Sequence, residues 1–426
     1  MKLCEMSKEQ LEQFKAECEK KYNEYKAEGL NLNMSRGKPS PEQLDLTLDM
    51  LNVLNKDNLV SENGMDCRNY GTLDGIPEAK KLLAPMAGVP EKNVIIFGNS
   101  SLNIMFWVMQ MAFSHGVLGG KPFSQQGKLK FLCPVPGYDR HFAITEFFGF
   151  DMINIPMNDD GPDMDMVEKL VSEDESIKGI WCVPQYSNPT GISFSDEVVK
   201  RFAALKPKAK DFRIFWDNAY TVHYLTDDHT RITNIFEEAK KCGNEDIVYI
   251  FASTSKITFP GAGVALIGAS DANIASLKNA LGYATIGYDK LNQMRHVIFF
   301  DGKFENLEKH MDLHAKSLAP KFNKVLEILD KEIAPLGIGT YTRPKGGYFI
   351  SFDSMEGCAK RIAQLAKDAG VVLTPAGSAY PYGKDPKDTN IRIAPSFPTL
   401  EDLTKALEVF ACCIKLASAE KLLANK

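Results

Sequence analysis

The chain contains no hydrophobic run long enough to cross a bilayer. Its longest apolar stretch, residues 104–113, is well short of the roughly 20 residues that a membrane-spanning helix needs. The first residues lack the apolar core of a signal peptide and lead into a segment rich in glutamate and lysine. We therefore expect a cytoplasmic protein that does not act at a membrane.

An excess of charge of one sign is absent as well. The 426 residues include 50 basic and 55 acidic side chains, so the net charge of -5 provides no basic surface for nucleic acid. The nine cysteines include no Cys-x-x-Cys pair, and Cys133 and Cys182 lie in apolar runs, which predicts reduced thiols. Among the seven histidines only His310 and His314 share helical spacing, and such a pair lies more often on a surface than on a metal ion. These absences favour small-molecule chemistry without a metal site.

Short apolar runs alternate with amphipathic helical stretches through the middle of the chain. The runs that we interpret as strands are residues 94–97, 130–133, 179–183, 213–216 and 247–252. This alternation is typical of an α/β fold with a mostly parallel sheet, in which ligands bind beyond the carboxyl ends of the strands. The residues that follow each run are therefore the candidates for chemistry.

The length of the chain predicts more than one domain. Residues 1–50 contain an amphipathic helical pattern and then an extended arm, which we assign to the smaller domain. Residues 51–305 form the large domain, which carries the ligand site. Residues 306–426 form the C-terminal small domain, with strands predicted at 346–352 and 391–393 and a last helix at 399–419.

Lys256 follows the fifth apolar run in the tetrapeptide Ser253-Thr254-Ser255-Lys256. A lysine at the end of a buried strand can form an imine if burial and nearby positive charge lower the pKa of its amine. The tetrapeptide alone is weak evidence, because most lysines are solvated surface charges. The groups that follow the other strands decide between these interpretations.

Small hydroxyl, aromatic and amide groups follow the first three runs. Ser100 and Ser101 open a helix, where free amides and hydroxyls bind phosphate, although an ordinary N-cap is the alternative. Tyr138 lies in a proline turn, where its ring could stack on a flat ligand or fill the core. Asn188 lies in a tight loop that is fixed by two prolines and a glycine.

Asp217 and Tyr220 follow the fourth run. A carboxylate at the end of an apolar strand is costly to desolvate unless a cation, such as a protonated pyridine nitrogen, pairs with it. Tyr220 could hydrogen-bond an oxygen of the same ring. The competing interpretation is an aspartate N-cap with an unrelated tyrosine.

In chain order these residues resemble the fold type I pyridoxal-phosphate enzymes, and more closely the class I aminotransferases. The motifs that carry the resemblance are Ser187-Asn188-Pro189-Thr190-Gly191, Asp217-Asn218-Ala219-Tyr220, Ser253-Thr254-Ser255-Lys256 and Asn390-Ile391-Arg392-Ile393. Segments 36–39 and 69–75 resemble a divergent bacterial aspartate aminotransferase subgroup. The resemblance implies a large domain with a mostly parallel seven-stranded sheet between helices, and a smaller α+β domain.

The resemblance also implies a role for each candidate residue. Lys256 would form a Schiff base with pyridoxal 5'-phosphate and then move a proton at the substrate α-carbon, while Asp217 keeps the pyridine nitrogen protonated. Tyr220 and Asn188 would hydrogen-bond the phenolic oxygen, and Tyr138 would stack on the ring. The candidates for the phosphate are Ser100, Ser101, Ser253 and Ser255.

Further matches concern the substrate and a second subunit. Arg392 matches the arginine that receives the substrate α-carboxylate, for which a planar two-pronged donor suits better than lysine. Gly37 and Asn188 are expected beside the same group. Tyr70 resembles the residue that reaches the phosphate of a neighbouring subunit, which implies a homodimer with shared active sites. Many class I aminotransferases place a phosphate-binding arginine eight residues after the lysine, but that position is Val264 here.

The substrate is the least determined part of the prediction. The favoured reaction is a ping-pong transfer of an amino group from L-aspartate to 2-oxoglutarate, with Arg36 as the candidate for the side-chain carboxylate and Arg140 and Lys38 as further candidates. An aminotransferase for aromatic or neutral amino acids, or a pyridoxal-phosphate lyase, would use the same lysine, aspartate and arginine. The effector-sensing module of a regulator would need a basic helix-turn-helix domain before the matched region, which begins after about 30 residues.

Overall fold

The computed structural model describes residues 2–426. The α-helices are α1 (Lys8–Ala27), α2 (Pro41–Asp45), α3 (Pro77–Ala87), α4 (Ser101–His115), α5 (Asp139–Phe147), α6 (Met164–Glu173), α7 (Asp196–Ala203), α8 (Ile235–Lys241), α9 (Asp271–Leu281), α10 (Lys290–Phe299), α11 (Phe304–Glu332), α12 (Ala359–Asp368) and α13 (Leu400–Ala424). Short 3-10 helices lie at Leu3–Glu5, Leu48–Asn52, Glu91–Asn93, Phe123–Gln125, Glu245–Ile247, Ala334–Leu336 and Pro381–Gly383.

The strands follow the predicted alternation with helices. They are β1 (Leu32–Asn33), β2 (Val94–Ile96), β3 (Lys130–Val135), β4 (Asp151–Asn158), β5 (Gly161–Pro162), β6 (Ile177–Cys182), β7 (Arg213–Asp217), β8 (Val248–Ser253), β9 (Ala265–Gly268), β10 (Gly339–Tyr341), β11 (Ile350–Ser354), β12 (Val371–Val372) and β13 (Asn390–Ile393). In the small part of the fold the predicted strand at 346–352 begins later, at Ile350.

The large sheet has eight strands within residues 2–426, in the order β2-β9-β8-β7-β6-β3-β4-β5. The neighbours from β8 to β4 are parallel, whereas β9 runs antiparallel between β2 and β8. The predicted α/β fold with a mostly parallel sheet is confirmed. The seven-strand count omits β5, a two-residue strand that pairs with the end of β4 in an antiparallel turn. A strand this short leaves no hydropathy signal.

Both faces of the large sheet are buried. Along β8, Val248 and Ile250 join one hydrophobic cluster, and Tyr249 and Phe251 join another on the opposite face. Strands that are buried on both faces have continuous apolar sequences, which explains why the central strands could be predicted. Strand β4 was not predicted because polar residues and Pro156 interrupt its sequence.

The two ends of the chain meet in the smaller part of the fold. Strand β1 pairs in parallel with β12, so Leu32 lies opposite Val371, and α1 packs against α13. A separate antiparallel sheet has the order β10-β11-β13. The amino-terminal arm and the carboxy-terminal segment are therefore neighbours. The domain boundaries at residues 50 and 305 stay a prediction.

The expectation that His310 and His314 lie on the surface was wrong. They are 7% and 0% exposed on the inner side of α11, and their Nε2 atoms are 3.1 Å apart. Helical spacing alone does not tell which side of a helix faces the core. In this helix the histidines share the buried side with Leu307, Met311 and Leu318.

The thiols are unpaired, as the sequence predicted. All nine cysteines, each within the described residues, are free, and burial raises the pKa of Cys133 and Cys182 well above the usual value. Buried thiols of this kind are chemically inert. Across residues 2–426, no helix combines the length and the apolar character that spanning a membrane requires.

Candidate active site

The carboxyl ends of the parallel strands border a cavity of about 540 Å³. Because β3, β6, β7 and β8 run in one direction, the segments that follow them lie along one edge of the sheet. The predicted site residues that line this cavity are Arg36, Gly37, Ser100, Ser101, Tyr138, Asn188, Asp217, Tyr220, Ser253, Ser255, Lys256 and Arg392. Residues from nearly the full length of the sequence thus converge on one cavity.

Asp217, at the end of β7, is only 4% exposed. Its Oδ2 lies 3.0 Å from Nε2 of His141, and the His141 ring stacks on Trp181 with ring centroids 4.4 Å apart. Its Oδ1 is buried and has no hydrogen-bond partner in the described part of the chain. A buried polar atom without a partner costs about 1–3 kcal/mol, and more when it is charged. The carboxylate is therefore suited to a donor that enters the cavity, such as a protonated ring nitrogen.

The amine of Lys256 lies over the ring of Tyr220, with Nζ 4.9 Å from the ring centroid. Burial lowers the pKa of Lys256, and the Asp217 carboxylate partly opposes this shift. A lower pKa enlarges the neutral fraction of the amine, which is the nucleophilic form. Burial raises the pKa of Tyr220 well above its usual value, with smaller contributions from Tyr138 and Asp217. The Tyr220 hydroxyl therefore stays protonated and can donate a hydrogen bond.

Hydroxyl groups and a helix terminus lie together at one end of the cavity. Ser100 is the N-cap residue of α4, and its side chain makes no capping hydrogen bond. The Ser253 hydroxyl donates to Ser255 Oγ over 3.1 Å, and Ser255 donates to the Asn99 carbonyl over 2.6 Å. Amides at the start of a helix together with hydroxyls form a phosphate-binding arrangement. Val264 is 2% exposed and does not line the cavity, so its position contributes no cation.

Arg392 lies at another wall of the cavity, where its guanidinium group is held by three neighbours. Nη1 donates to Asp139 Oδ1 over 2.9 Å and to Asn188 Oδ1 over 3.4 Å, and Cζ lies 4.8 Å from the centroid of the Phe349 ring. A Cβ atom at Gly37 would lie 2.3 Å from Cζ of Phe349. Gly37 therefore allows the aromatic ring to reach the position under the guanidinium.

The remaining candidate residues, three cations and Tyr70, differ in position. Arg36 and Arg140 are exposed and line the cavity. Lys38 instead lies over the Phe397 ring, with Nζ 3.8 Å from its centroid, and does not line the cavity. Tyr70 is 79% exposed and also lies outside the cavity of its own chain. Arg36 and Arg140 therefore lie at the cavity and Lys38 does not. The position of Tyr70 is compatible with the prediction that it reaches the cavity of a second subunit.

A buried polar network lies behind Lys256. The Tyr348 hydroxyl donates to the Lys256 carbonyl over 3.4 Å, while Gln43 Nε2 donates to Tyr348 over 3.1 Å and lies 3.0 Å from Nδ1 of His314. His223 packs edge-on against Tyr348 and is 2% exposed. Burial lowers the pKa of His314 to about 3 and that of His223 well below its usual value, so both rings are neutral near pH 7.

Sequence reasoning missed several residues that shape this site. His141 lies three residues after Tyr138, one helical turn further along α5, and this spacing was a usable signal. Asp139 had no distinctive local pattern. Tyr348 contacts Lys256 from 92 residues away, so no local pattern could have indicated it.

Comparison with known proteins supports this description of the site. A family described as aspartate amino-transferase matches residues 6–426. The chain belongs to the aspartate aminotransferase family. An aspartate aminotransferase of Corynebacterium glutamicum is 47% identical over 408 residues, which cover 96% of this chain and 94% of that relative. A crystal structure of an aspartate transaminase from the same species superimposes with a TM-score of 0.96 at 45% identity, covering 99% of both chains.

More distant solved structures share the fold of this aminotransferase. An alpha-aminoadipate aminotransferase of Thermus thermophilus has a TM-score of 0.73 at 22% identity, covering 93% of this chain and 94% of that chain. That protein was solved in a complex with N-(5'-phosphopyridoxyl)-L-leucine. The predicted membership of the fold type I aminotransferases is confirmed. The family match and the relative at 47% identity support an enzyme over the effector-sensing module of a regulator.

Proposed function

We propose that this aminotransferase uses pyridoxal 5'-phosphate to transfer the amino group of L-aspartate to 2-oxoglutarate by a ping-pong mechanism. The observation that carries the proposal is the buried Oδ1 of Asp217, which has no partner within residues 2–426 and lies in the same cavity as Lys256. A protonated pyridine nitrogen provides the missing donor and the compensating charge. The hydroxyls and the helix terminus at the end of the cavity suit the phosphate of the same cofactor.

The positions of the side chains around the cavity support the proposed roles. The bound cofactor supplies a ring that withdraws electrons from the substrate α-carbon. Lys256 removes and returns the proton at that carbon, because its amine lies in the cavity and its lowered pKa increases the neutral fraction of the amine. Asp217 keeps the ring nitrogen protonated, and Tyr220 and Asn188 donate hydrogen bonds to the phenolic oxygen. Tyr138 packs against the ring, and burial raises its own pKa to about 12, so it carries no charge there.

The cations around the cavity support a dicarboxylate substrate. Arg392 is assigned to the α-carboxylate that every amino acid and 2-oxo acid carries. Arg36 and Arg140 also line the cavity and can neutralise a second carboxylate, which aspartate and 2-oxoglutarate have and neutral or aromatic amino acids lack. The C. glutamicum relative at 47% identity bears the name aspartate aminotransferase. An aminotransferase for aromatic amino acids, or a lyase, is the alternative.

An absorbance titration tests both the cofactor and the donor. We expect the purified protein with pyridoxal phosphate to show a band in the region of about 360 to 430 nm that shifts towards about 330 nm on addition of L-aspartate. Without an oxo acid the shift should stop after one equivalent of oxaloacetate, and adding 2-oxoglutarate should restore the original band. L-Phenylalanine and L-alanine should act much more weakly at equal concentration.

The outcomes separate the parts of the proposal. If the band responds only to another amino acid, the assignment of the cofactor is supported and aspartate is excluded as the donor. Continued product formation from aspartate without 2-oxoglutarate would exclude the ping-pong mechanism and favour a lyase. If no band forms at all, the assignment of Lys256 and Asp217 to this cofactor fails.

A homodimer with shared sites is the second part of the proposal. Tyr70 is 79% exposed, and the neighbouring segment contains two further exposed apolar side chains, Tyr283 (91%) and Ile286 (60%). The two segments adjoin, since a Cβ atom at Gly287 would lie 2.5 Å from the Gly71 carbonyl oxygen. An exposed apolar face of this kind favours contact with a second copy, which would bring Tyr70 to the phosphate end of the partner's cavity.

Subunit complementation tests the shared site. We expect Tyr70→Ala and Lys256→Ala each to be impaired, because each defect would lie in every active site of its homodimer. Co-expression of the two should restore activity, to about a quarter of the wild-type value after random pairing, because each mixed dimer regains one intact site. A second pair, Lys256→Ala with Asp217→Ala, is the control and should not recover, because both defects affect the cavity of their own chain. Failure of the first pair to recover would place Tyr70 outside the partner's site.

A further inference from the structure

The guanidinium group of Arg392 is anchored on one side only. Nη1 donates to Asp139 and to Asn188, and the ring of Phe349 lies beneath the group. The Arg392 side chain is 10% exposed, whereas that of Asp139 is 35% exposed. The Asp139 carboxylate therefore lies at the rim of the cavity, and the Arg392 guanidinium lies deeper, in its wall.

The opposite edge of the same group has no protein partner. Nε of Arg392 is buried without a hydrogen-bond partner, and Nη2 makes no hydrogen bond to any residue in the range 2–426. A buried donor that lost its water and gained no partner is costly, and more so in a charged group. This edge is consequently the part of Arg392 that is suited to an incoming acceptor.

Other arginines in this protein show what the free edge can bind. Arg201 uses Nε and Nη2 to hold both oxygens of Glu168 at 2.8 Å each, and Arg361 holds Glu420 in the same way at 2.8 Å each. Two parallel N–H groups match the two oxygens of a carboxylate and fix its plane. In Arg392 the equivalent pair of donors is unoccupied by protein.

We propose that Asp139 is a positioning residue that holds Nη1 of Arg392 and so presents the Nε and Nη2 edge to the substrate α-carboxylate. This inference rests on the proposed role of Arg392. Asp139 keeps its ion pair while the substrate is bound, so the guanidinium lies between two carboxylates. The arrangement serves amino acids and 2-oxo acids alike, because both bring the same group to the same edge.

Propionate binding tests this arrangement, because propionate has the carboxylate that Arg392 is proposed to bind and no second carboxylate for Arg36 or Arg140. The dissociation constant is measured by calorimetry on the protein with and without cofactor, together with kcat and KM for aspartate and 2-oxoglutarate. We expect Asp139→Ala to raise the propionate constant and both KM values about tenfold, which corresponds to the loss of one charge-assisted hydrogen bond, with kcat within about twofold of wild type. Asp139→Asn retains an oxygen acceptor for Nη1. Its propionate constant and KM values should therefore stay within about threefold of wild type.

The alternatives give different patterns. If the substrate displaces Asp139 from Arg392, both variants should bind propionate more tightly than wild type, and that result would overturn the proposal. If Asp139 only stabilises the first turn of α5, both variants should lower the melting temperature and leave the propionate constant unchanged, which would also overturn it. Glu197→Gln is the matched control, because Glu197 is an exposed acidic residue in the first turn of α7, away from the cavity.

A further variant separates this inference from the proposed function. Arg392→Lys should raise the same constants by more than Asp139→Ala does, because lysine has no second parallel donor. If Arg392→Lys leaves propionate binding unchanged, the α-carboxylate site itself lies elsewhere. If Arg392→Lys weakens binding but Asp139→Ala does not, the role of Arg392 stands and the role of Asp139 falls.

Discussion

Replacement of Lys256 by alanine is expected to lower kcat by at least about 10⁴-fold, which is the upper range for the loss of a general acid–base group. The variant should still fold, because the amine lies at the cavity, over the Tyr220 ring at 4.9 Å from the ring centroid. It should also lose covalent attachment of the cofactor. Treatment with borohydride followed by mass spectrometry measures this directly, since only the wild type should retain the added mass on the peptide that contains residue 256.

A surface lysine provides the comparison for this experiment. Lys345 pairs with Asp228 and its side chain is 70% exposed, so Lys345→Ala should keep both activity and attachment. A Lys256→Ala protein with substantial turnover, or with the cofactor reduced onto another lysine, would contradict the assignment. Circular dichroism and melting temperature show whether a lost activity reflects a lost fold.

Asp217→Ala should slow the proton step at the α-carbon on the order of 10³-fold, because the charge that keeps the ring nitrogen protonated is removed. Cofactor attachment should survive, since Lys256 and the hydroxyl-lined end of the cavity are unchanged. The kinetic isotope effect with aspartate deuterated at the α-carbon should rise, because proton abstraction becomes the slowest step. Rapid-mixing absorbance measurements give both the rate and the isotope effect.

A second substitution distinguishes the charge from the hydrogen bond. Asp217→Ala leaves His141 Nε2 without its partner at 3.0 Å, which could disturb the stacked pair of His141 and Trp181. Asp217→Asn keeps an acceptor for His141 but removes the charge, so it should show nearly the same loss of rate with less loss of stability. Asp227, an exposed aspartate in the loop that follows, provides the control variant Asp227→Ala. Wild-type turnover in Asp217→Asn would refute the electrostatic role.

The position of the site could be predicted because it depends on local features. Strands buried on both faces have continuous apolar sequences, and in a parallel sheet their carboxyl ends share an edge. Asp217, Tyr138, Asn188 and Lys256 therefore had to lie near one another once their strands were recognised. The family motifs then assigned a chemical role to each of them, and those roles stay predictions until tested.

The features of the site that were not predicted depend on contacts between distant parts of the sequence. The pairing of Asp139 with Arg392 joins residues 253 positions apart, and the contact of His141 with Asp217 joins residues 76 positions apart. Neither has a periodic pattern. The burial of His314 depends on which side of α11 meets the core, and the proposed contact of Tyr70 would depend on a second chain. Such features are properties of the complete fold and not of any short segment.

The pairing of the chain ends has a consequence for the order in which the ribosome makes the site. Strand β1 emerges early but pairs with β12, and the nearby bond from Thr374 to the Ser35 carbonyl joins residues 339 positions apart. Lys256 and the hydroxyl-lined end of the cavity are synthesised well before Arg392. During synthesis, the residues proposed to hold the cofactor are therefore available first. Arg392, and the strand β12 that pairs with β1, follow only near the completion of synthesis.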